Sequence, residues 1–137
     1  MPKLKWKNQF ELIDSASNFH NAVRKVFIND PFFRNLGCYQ EVPLADLCDG
    51  FSSGSLFVDW YLHELQAVLE LHGKQHYDMV NFGNKSYSDA MRDFREIQYR
   101  DSLKQMTLEK AGYDFHIIPY TMKGKIDASL LKNLLFG

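Results

Sequence analysis

Two carboxylates are the first candidates for chemistry in this chain, because each interrupts a short apolar run. Asp59 lies within residues 57–61 (FVDWY), and Glu70 lies within residues 68–72 (VLELH). Apolar runs of this length are typical of strands that are buried in a sheet. Both acids are therefore predicted to lie on strands that contact the core.

The short connection between the two runs, His63 to Gln66, predicts a hairpin. If these residues form the loop, Leu62 pairs with Ala67 and Asp59 falls opposite Glu70. Paired residues of antiparallel strands share a face, with Cβ atoms roughly 4.5–5.5 Å apart. Two like charges at about 5 Å repel by on the order of 3 kcal/mol at an effective dielectric of about 20. A cation or a proton between them would relieve this repulsion, so metal binding is the first hypothesis.

Alternation along the second of these strands places His72 on the same face as Glu70 and Asp59. His76 follows just after Gly73. Carboxylate oxygens and a backbone carbonyl suit Mg²⁺ or Mn²⁺, whereas an added imidazole shifts the preference toward Mn²⁺ or Zn²⁺. An imidazole beside the metal can also act as a general base. The alternative is that Asp59 and Glu70 are solvated residues on the outer face of the hairpin.

Length and composition predict one compact domain over residues 1–137, since 45% of the 137 residues are hydrophobic. No segment approaches the roughly 18 apolar residues of a membrane span, and the Lys-rich start lacks the apolar stretch of a secretory signal. Cys38 and Cys48 do not form a C-x-x-C pair, so neither a zinc knuckle nor a disulfide framework is expected. These observations favour a reducing, cytoplasmic location and no membrane partner.

The formal net charge of −1 is not that of a strongly basic nucleic-acid-binding protein. The distribution of charge matters more than its sum, however, and acidic metal ligands would mask a basic surface in the count. Basic residues gather in an N-terminal arm over residues 1–14 and in a later segment: Lys3, Lys5 and Lys7 in the arm, then Arg92, Arg95, Arg100 and Lys104.

The remaining patterns predict the elements that position these residues. Apolar residues at helical spacing predict a first helix over 19–27, capped by Ser15 or Ser17, and a strand is expected within 36–44. Beyond the hairpin we expect a mobile loop (78–88), a long helix (89–111), a strand (115–118) and a final amphipathic helix (130–135). This order, αβββαβ(α), predicts an α/β or α+β fold in which helices flank a central mixed sheet of about four strands.

The long helix carries two charged residues, Asp101 and Lys104, on its predicted inward face. Burying a charge is costly unless it is paired, and an ion pair between these two residues is the simpler explanation. The functional alternative is that Asp101 reaches a catalytic histidine while Arg100 or Lys104 contacts a phosphate.

Taken together, these segments resemble a nuclease family. The chain contains Asp59-Trp60-Tyr61, then residues 68–77 (VLELHGKQHY), then Arg100-Asp101 and residues 108–113 (LEKAGY). This series is similar to the very short patch repair endonuclease-like branch of the PD-(D/E)XK nucleases. That branch has an aspartate on one strand, E-x-[DH]-G-x-x-H on the next, and an R-D helix that ends in L-x-x-x-G-[WY]. The resemblance covers roughly residues 56–120.

The resemblance implies a restriction-endonuclease-like core and a DNA endonuclease that depends on Mg²⁺ or Mn²⁺. Asp59 would be the central metal ligand, with Glu70 or the Leu71 carbonyl as the second. His72 and His76 would serve as the base or water-orienting groups, Asp101 would support a histidine, and Arg100 would touch the scissile phosphate. In the hydrolysis that we expect on this basis, Lys74 or Arg100 would offset transition-state charge. The basic residues of the chain are expected to contact DNA: Arg100, Lys104, Arg92, Lys3, Lys5 and Lys7.

The chain departs from the family pattern in three places. His72 replaces the usual lysine, although Lys74 lies two positions further on along the same strand. The acidic residue of the first helix has no clear counterpart, and Glu11 or Glu41 would have to substitute for it. The cysteine-rich structural zinc site of the mismatch-repair members is absent.

These departures leave the substrate and the activity open. Without that zinc site, a looser or branched DNA substrate is favoured over one defined mismatch, as in a nicking, junction-resolving or homing-type nuclease. Small single-domain nucleases often act as homodimers on symmetric DNA. The alternative from another class is a noncatalytic DNA- or protein-binding module that keeps a degenerate nuclease core.

Overall fold

A computed structural model describes residues 6–49, 56–79 and 85–137 of the chain. Within these ranges it forms five strands and five α-helices. In chain order they are β1 (Lys7–Asn8), α1 (Asn18–Asn29), α2 (Pro31–Arg34), β2 (Cys38–Pro43), α3 (Leu44–Leu47), β3 (Phe57–Leu62), β4 (Ala67–His72), α4 (Tyr87–Lys110), β5 (Asp114–Pro119) and α5 (Ala128–Phe136). Short 3-10 helices cover Lys74–His76 and Tyr120–Lys125.

The described strands form one mixed sheet in the order β1-β2-β3-β4-β5. The first three pairings are antiparallel, and β4 pairs with β5 in parallel. A parallel neighbour requires a crossover connection, and α4 provides it. The prediction of a mixed sheet flanked by helices is confirmed. The expected count of about four strands was one too low, because β1 had been assigned to the basic arm.

One face of the sheet is covered by α1, α2 and α5. Ser17 caps α1 as predicted, since its hydroxyl accepts the His20 amide. Apolar residues at helical spacing then point toward the sheet, where Val23 and Phe27 are fully buried against Trp60 and Leu69. This layer fixes the position of the β3–β4 hairpin.

The opposite face is covered by α3 and α4. Leu108 of α4 is fully buried in a second core cluster that includes Val68 and Tyr61. Gly112 ends the helix in the left-handed conformation, with φ +96, and the Tyr113 amide donates to the Leu108 carbonyl. The position of this helix matters for function, because its inward face carries Asp101 and Lys104.

The structure describes two other predicted segments only in part. The basic arm over 1–14 is described only from residue 6, and Lys3 and Lys5 lie outside the described residues. The predicted mobile loop over 78–88 lies partly outside them as well, and its last two residues belong to α4. The described helices are too short or too polar to span a bilayer.

Candidate active site

The β3–β4 hairpin has the register that the sequence predicted. Leu62 pairs with Ala67 and Trp60 pairs with Leu69. Gln66 turns the chain in the left-handed region, with φ +49, and its amide donates to the His63 carbonyl. The short loop leaves little freedom for any other register, so the two acids come together beyond Trp60.

Asp59 and Glu70 meet through a reciprocal exchange of side-chain and backbone hydrogen bonds. The Asp59 amide donates to Glu70 Oε2 at 2.8 Å, and the Leu71 amide donates to Asp59 Oδ2 at 2.7 Å. Glu70 is only 2% exposed. The interpretation of Glu70 as a solvated residue on the outer face of the hairpin is therefore wrong. Leu71, whose carbonyl was a candidate metal ligand, contacts Asp59 through its amide.

Burial and the neighbouring Glu70 raise the pKa of Asp59 to about 7, against the opposing effects of the Leu71 amide and Lys104. Desolvation and a like charge both disfavour the ionised carboxylate. A cation placed at Asp59 would favour the ionised carboxylate and so lower this pKa.

Lys104 approaches Glu70 from α4, on the same face of the sheet as Val68 and Glu70. Its Nζ lies 2.7 Å from Glu70 Oε1 and 3.0 Å from the Phe57 carbonyl. The side chain is 14% exposed. The prediction of an ion pair between Lys104 and Asp101 is thus wrong, because Lys104 pairs with Glu70 and Asp101 pairs with His76.

A cleft of about 480 Å³ opens at Asp59. Glu41, Lys74 and Lys123 line it together with the residues that precede α1. Glu41 has φ +50 and interrupts the β2–β3 ladder at the position opposite Asp59. Non-glycine residues rarely adopt this conformation, and such strain is concentrated at functional sites.

Glu41 is therefore better placed than Glu11 to supply the third carboxylate. Glu11 accepts the Asn8 amide away from the cleft lining. Lys74 is exposed in the 3-10 helix after β4, rather than on the strand itself as the sequence had suggested. It lines the cleft nonetheless.

Next to Glu70, three residues form a second cluster that we call the histidine cluster: His72, His76 and Asp101. One ligand atom from each lies within 4.8 Å of the others. His76 Nδ1 lies 2.7 Å from Asp101 Oδ2, and the two imidazole rings stack with centroids 4.1 Å apart. Asp59 and Glu70, predicted as the metal ligands, lie outside this convergent group.

His72 Nε2 is the least satisfied atom of the histidine cluster. It is buried without a hydrogen-bond partner among the described residues. Its nearest acidic oxygens, Glu70 Oε1 and Asp101 Oδ1, are both 3.9 Å away. Burial, followed by the charge of His76, lowers the pKa of His72, so the ring favours its neutral form.

The other predicted DNA-binding residues lie away from the carboxylates. Lys7 is exposed on β1. Arg92 and Arg100 are exposed on α4, where they pair with Asp89 and Glu96 one turn away. The sequence had assigned Lys104 to the same surface, and the structure places it against Glu70 instead.

Comparison with known proteins identifies no family. No family model and no solved structure matches the chain. The chain is 32% identical over 69 residues to "Uncharacterized protein 094L" of Frog virus 3 (isolate Goorha), a match that covers 50% of this chain and 43% of that protein. The chain thus spans less than half the length of this relative, whose name states no activity.

Proposed function

We propose that this chain is a divalent-metal-dependent DNA endonuclease with a restriction-endonuclease-like core, which hydrolyses phosphodiester bonds. The observation that carries the proposal is the pair of carboxylates, Asp59 and Glu70, joined on neighbouring strands and contacted by Lys104. Buried like charges are expensive, and a cation is a common reason for a fold to retain them. The resemblance of residues 56–120 to PD-(D/E)XK nucleases supports the same conclusion.

The donor set fits Mg²⁺ or Mn²⁺. Both ions prefer oxygen ligands. Asp59 and Glu41 line the cleft, and the buried carboxylate of Glu70 lies next to Asp59, whose amide it accepts. Asp59 would be the central ligand, with Glu70 as the second and Glu41 as a further acidic group. When bound, the ion would polarise the phosphate and lower the pKa of a water molecule.

Lys104 has two roles in this proposal. It neutralises Glu70 in the buried site, and its positive charge also acts on Asp59, which lines the cleft where a phosphate would bind. A fixed positive charge at such a point stabilises the charge that develops in the transition state. Lys74 and Lys123 line the cleft and would contact the flanking phosphates.

His76 is the better candidate for the general base. Asp101 Oδ2 accepts a hydrogen bond from Nδ1, which holds the proton on that nitrogen and leaves Nε2 free to take a proton from water. His72 is more deeply buried and packs against the His76 ring. Asp101 and His72 are therefore positioning residues for His76.

The substrate is proposed to be looser or branched DNA, such as a four-way junction, cut by a homodimer. A two-fold protein matches a two-fold junction. Exposed Arg92, Arg100 and Lys7 would contact its backbone, as would Lys3 and Lys5, whose placement lies outside the described residues. Such a substrate implies a location inside the cell, in the cytoplasm. Gel filtration alongside cleavage of four-way junctions and linear duplexes tests this part.

The experiment that tests the activity is nicking of supercoiled plasmid with Mg²⁺, Mn²⁺ or a chelator. We expect relaxation of the plasmid with either ion and none with the chelator. Lys104→Met should lose most of the activity, whereas the matched variant Lys110→Met, which changes an exposed lysine near the end of the same helix, should retain it. Equal activity of both variants would remove Lys104 from the mechanism.

A noncatalytic DNA- or protein-binding module is the second candidate. One observation favours it: Lys104 and the Leu71 amide already satisfy the two carboxylates from within the protein. Calorimetric titration with Mn²⁺ separates the two candidates. Heat that saturates below millimolar concentrations supports the nuclease, and its absence supports the binding module.

A further inference from the structure

The histidine cluster can do more than position a base. Its three side chains come from three elements: His72 at the end of β4, His76 in the following 3-10 helix, and Asp101 in the middle of α4. We propose that His72, His76 and Asp101 form a separate site for one transition-metal ion of the Zn²⁺ type. This site is distinct from the Mg²⁺ or Mn²⁺ site at Asp59, and its test does not require nuclease activity. An ion on His76 Nδ1 would replace the proton that this nitrogen donates to Asp101, so zinc binding and the general-base role of His76 are alternative states of the cluster.

The first argument is the orphaned nitrogen. His72 is 4% exposed, and its Nε2 has no hydrogen-bond partner among the described residues. A buried nitrogen that neither donates nor accepts is destabilising by roughly 1–3 kcal/mol. A metal ion would satisfy it, since neutral imidazole is the commonest nitrogen ligand of Zn²⁺.

The second argument is geometric. Two ligands of a tetrahedral Zn²⁺ with bonds of about 2.0–2.1 Å lie roughly 3.3 Å apart. The separation between His72 Nε2 and Asp101 Oδ1 is 3.9 Å, and that between His76 Nδ1 and Asp101 Oδ2 is 2.7 Å. The two distances lie about 0.6 Å above and below the required one, and one ligand atom from each residue lies within 4.8 Å of the others, so the side chains would have to shift by roughly half an ångström or more.

The third argument concerns charge and ligand type. Asp101 supplies one negative charge, while the charges of Glu70 and Lys104 cancel in their ion pair at 2.7 Å. The cluster itself contains no lysine or arginine that would repel a cation. Two imidazoles and one carboxylate are the ligand set of several catalytic zinc sites, and they select against Mg²⁺, which prefers oxygen.

The test measures metal binding by the reduced full-length protein with any affinity tag removed. Zn²⁺ is titrated by calorimetry, and Co²⁺ is used as a spectroscopic probe. We expect one equivalent to bind, with visible Co²⁺ bands of nitrogen and oxygen coordination and no thiolate charge-transfer band. His76→Ala and Asp101→Asn should weaken binding by at least roughly tenfold.

Two control variants locate the ion. His63→Ala removes a histidine of the hairpin loop, and Asp59→Asn alters the carboxylate pair. Both variants should still bind one equivalent of Zn²⁺ at the histidine cluster. The proposal is wrong if no saturable binding occurs, if His76→Ala binds like the wild type, or if Asp59→Asn loses binding as completely as His76→Ala does. Thermal unfolding of each variant verifies the fold. The test uses His76→Ala rather than His72→Ala because His76 is partly exposed, so its replacement is less disruptive to folding.

Discussion

Lys104 Nζ and Glu70 Oε1 lie 2.7 Å apart and connect the middle of α4 to β4. Glu70 Oε2 accepts the Asp59 amide, so both oxygens of this buried carboxylate have a donor. The arrangement places a positive charge beside two acids that would otherwise repel each other. Most of the proposed chemistry depends on this contact, which joins residues far apart in the sequence.

Removing the charge of Lys104 is expected to destabilise the protein. Lys104→Met leaves Glu70 buried without its cation, and breaking a buried ion pair in this way costs about 3 kcal/mol. Urea denaturation measures the change. Lys104→Met combined with Glu70→Gln should be less destabilised than the sum of the two single variants, because the double variant contains no unpaired buried charge. Additive effects would show that the pair contributes nothing.

Asp59 should contribute stability that is lost as the pH rises toward neutrality. Its folded-state pKa of about 7 lies above the ordinary value of 3.8. The folded protein therefore holds the extra proton more tightly than the unfolded chain, and this contribution is fully present below 3.8 and is lost as the pH rises through 7. Denaturation at several pH values should show a smaller loss for Asp59→Asn than for the wild type. The same pH dependence in both proteins would contradict the assignment.

His72 should remain neutral at a pH where an ordinary histidine is protonated. Burial and His76 lower its pKa from 6.5, and the nearby acids Asp101 and Glu70 do not overcome this effect. With the folded pKa lowered, His72 contributes stability above its ordinary pKa that is lost as the pH falls toward and below the folded value. NMR titration of the imidazole signals measures it directly. A midpoint above 6.5 would mean that the acids dominate.

The left-handed backbone conformation at Glu41 should lower the stability of the protein. Its φ of +50 is unfavourable for any side chain with a Cβ. Glu41→Gly should therefore be more stable than Glu41→Ala by about 1 kcal/mol. At Glu96, an exposed residue inside α4, the order should be reversed: Glu96→Ala should be more stable than Glu96→Gly by about 1 kcal/mol. Thermal unfolding of the four variants provides the comparison, and equal stabilities at position 41 would argue against strain.

The sequence predicts local structure well where the chain permits few alternatives. The four residues between Leu62 and Ala67 leave one reasonable register, and the observed pairing matches it. Ser17 and Gly112 mark helix ends because a hydroxyl cap and a left-handed turn have specific residue preferences, and both act as expected. In contrast, β1 is only two residues long and polar, so it has no periodicity to detect.

The parts of the site that sequence reasoning missed depend on tertiary contacts. Spacing on α4 suggested that Lys104 pairs with Asp101, but Lys104 pairs with Glu70 of the neighbouring strand β4. The left-handed conformation of Glu41 carries no residue-type signal, because glutamate does not favour it. The contact between Asp101 and a histidine was the functional alternative to the Asp101–Lys104 ion pair, but the position of Asp101 on the helix did not say which histidine it would reach.

The most direct measurement of the central claim is the rate at which Asp59→Asn nicks supercoiled plasmid in Mg²⁺ or Mn²⁺. The matched control is Asp114→Asn, which changes an exposed aspartate at the start of β5. We predict that Asp59→Asn is slower than the wild type by at least roughly 100-fold, since loss of a metal ligand removes several kcal/mol of transition-state stabilisation. The control should cleave normally. Cleavage by Asp59→Asn at the wild-type rate would contradict the account.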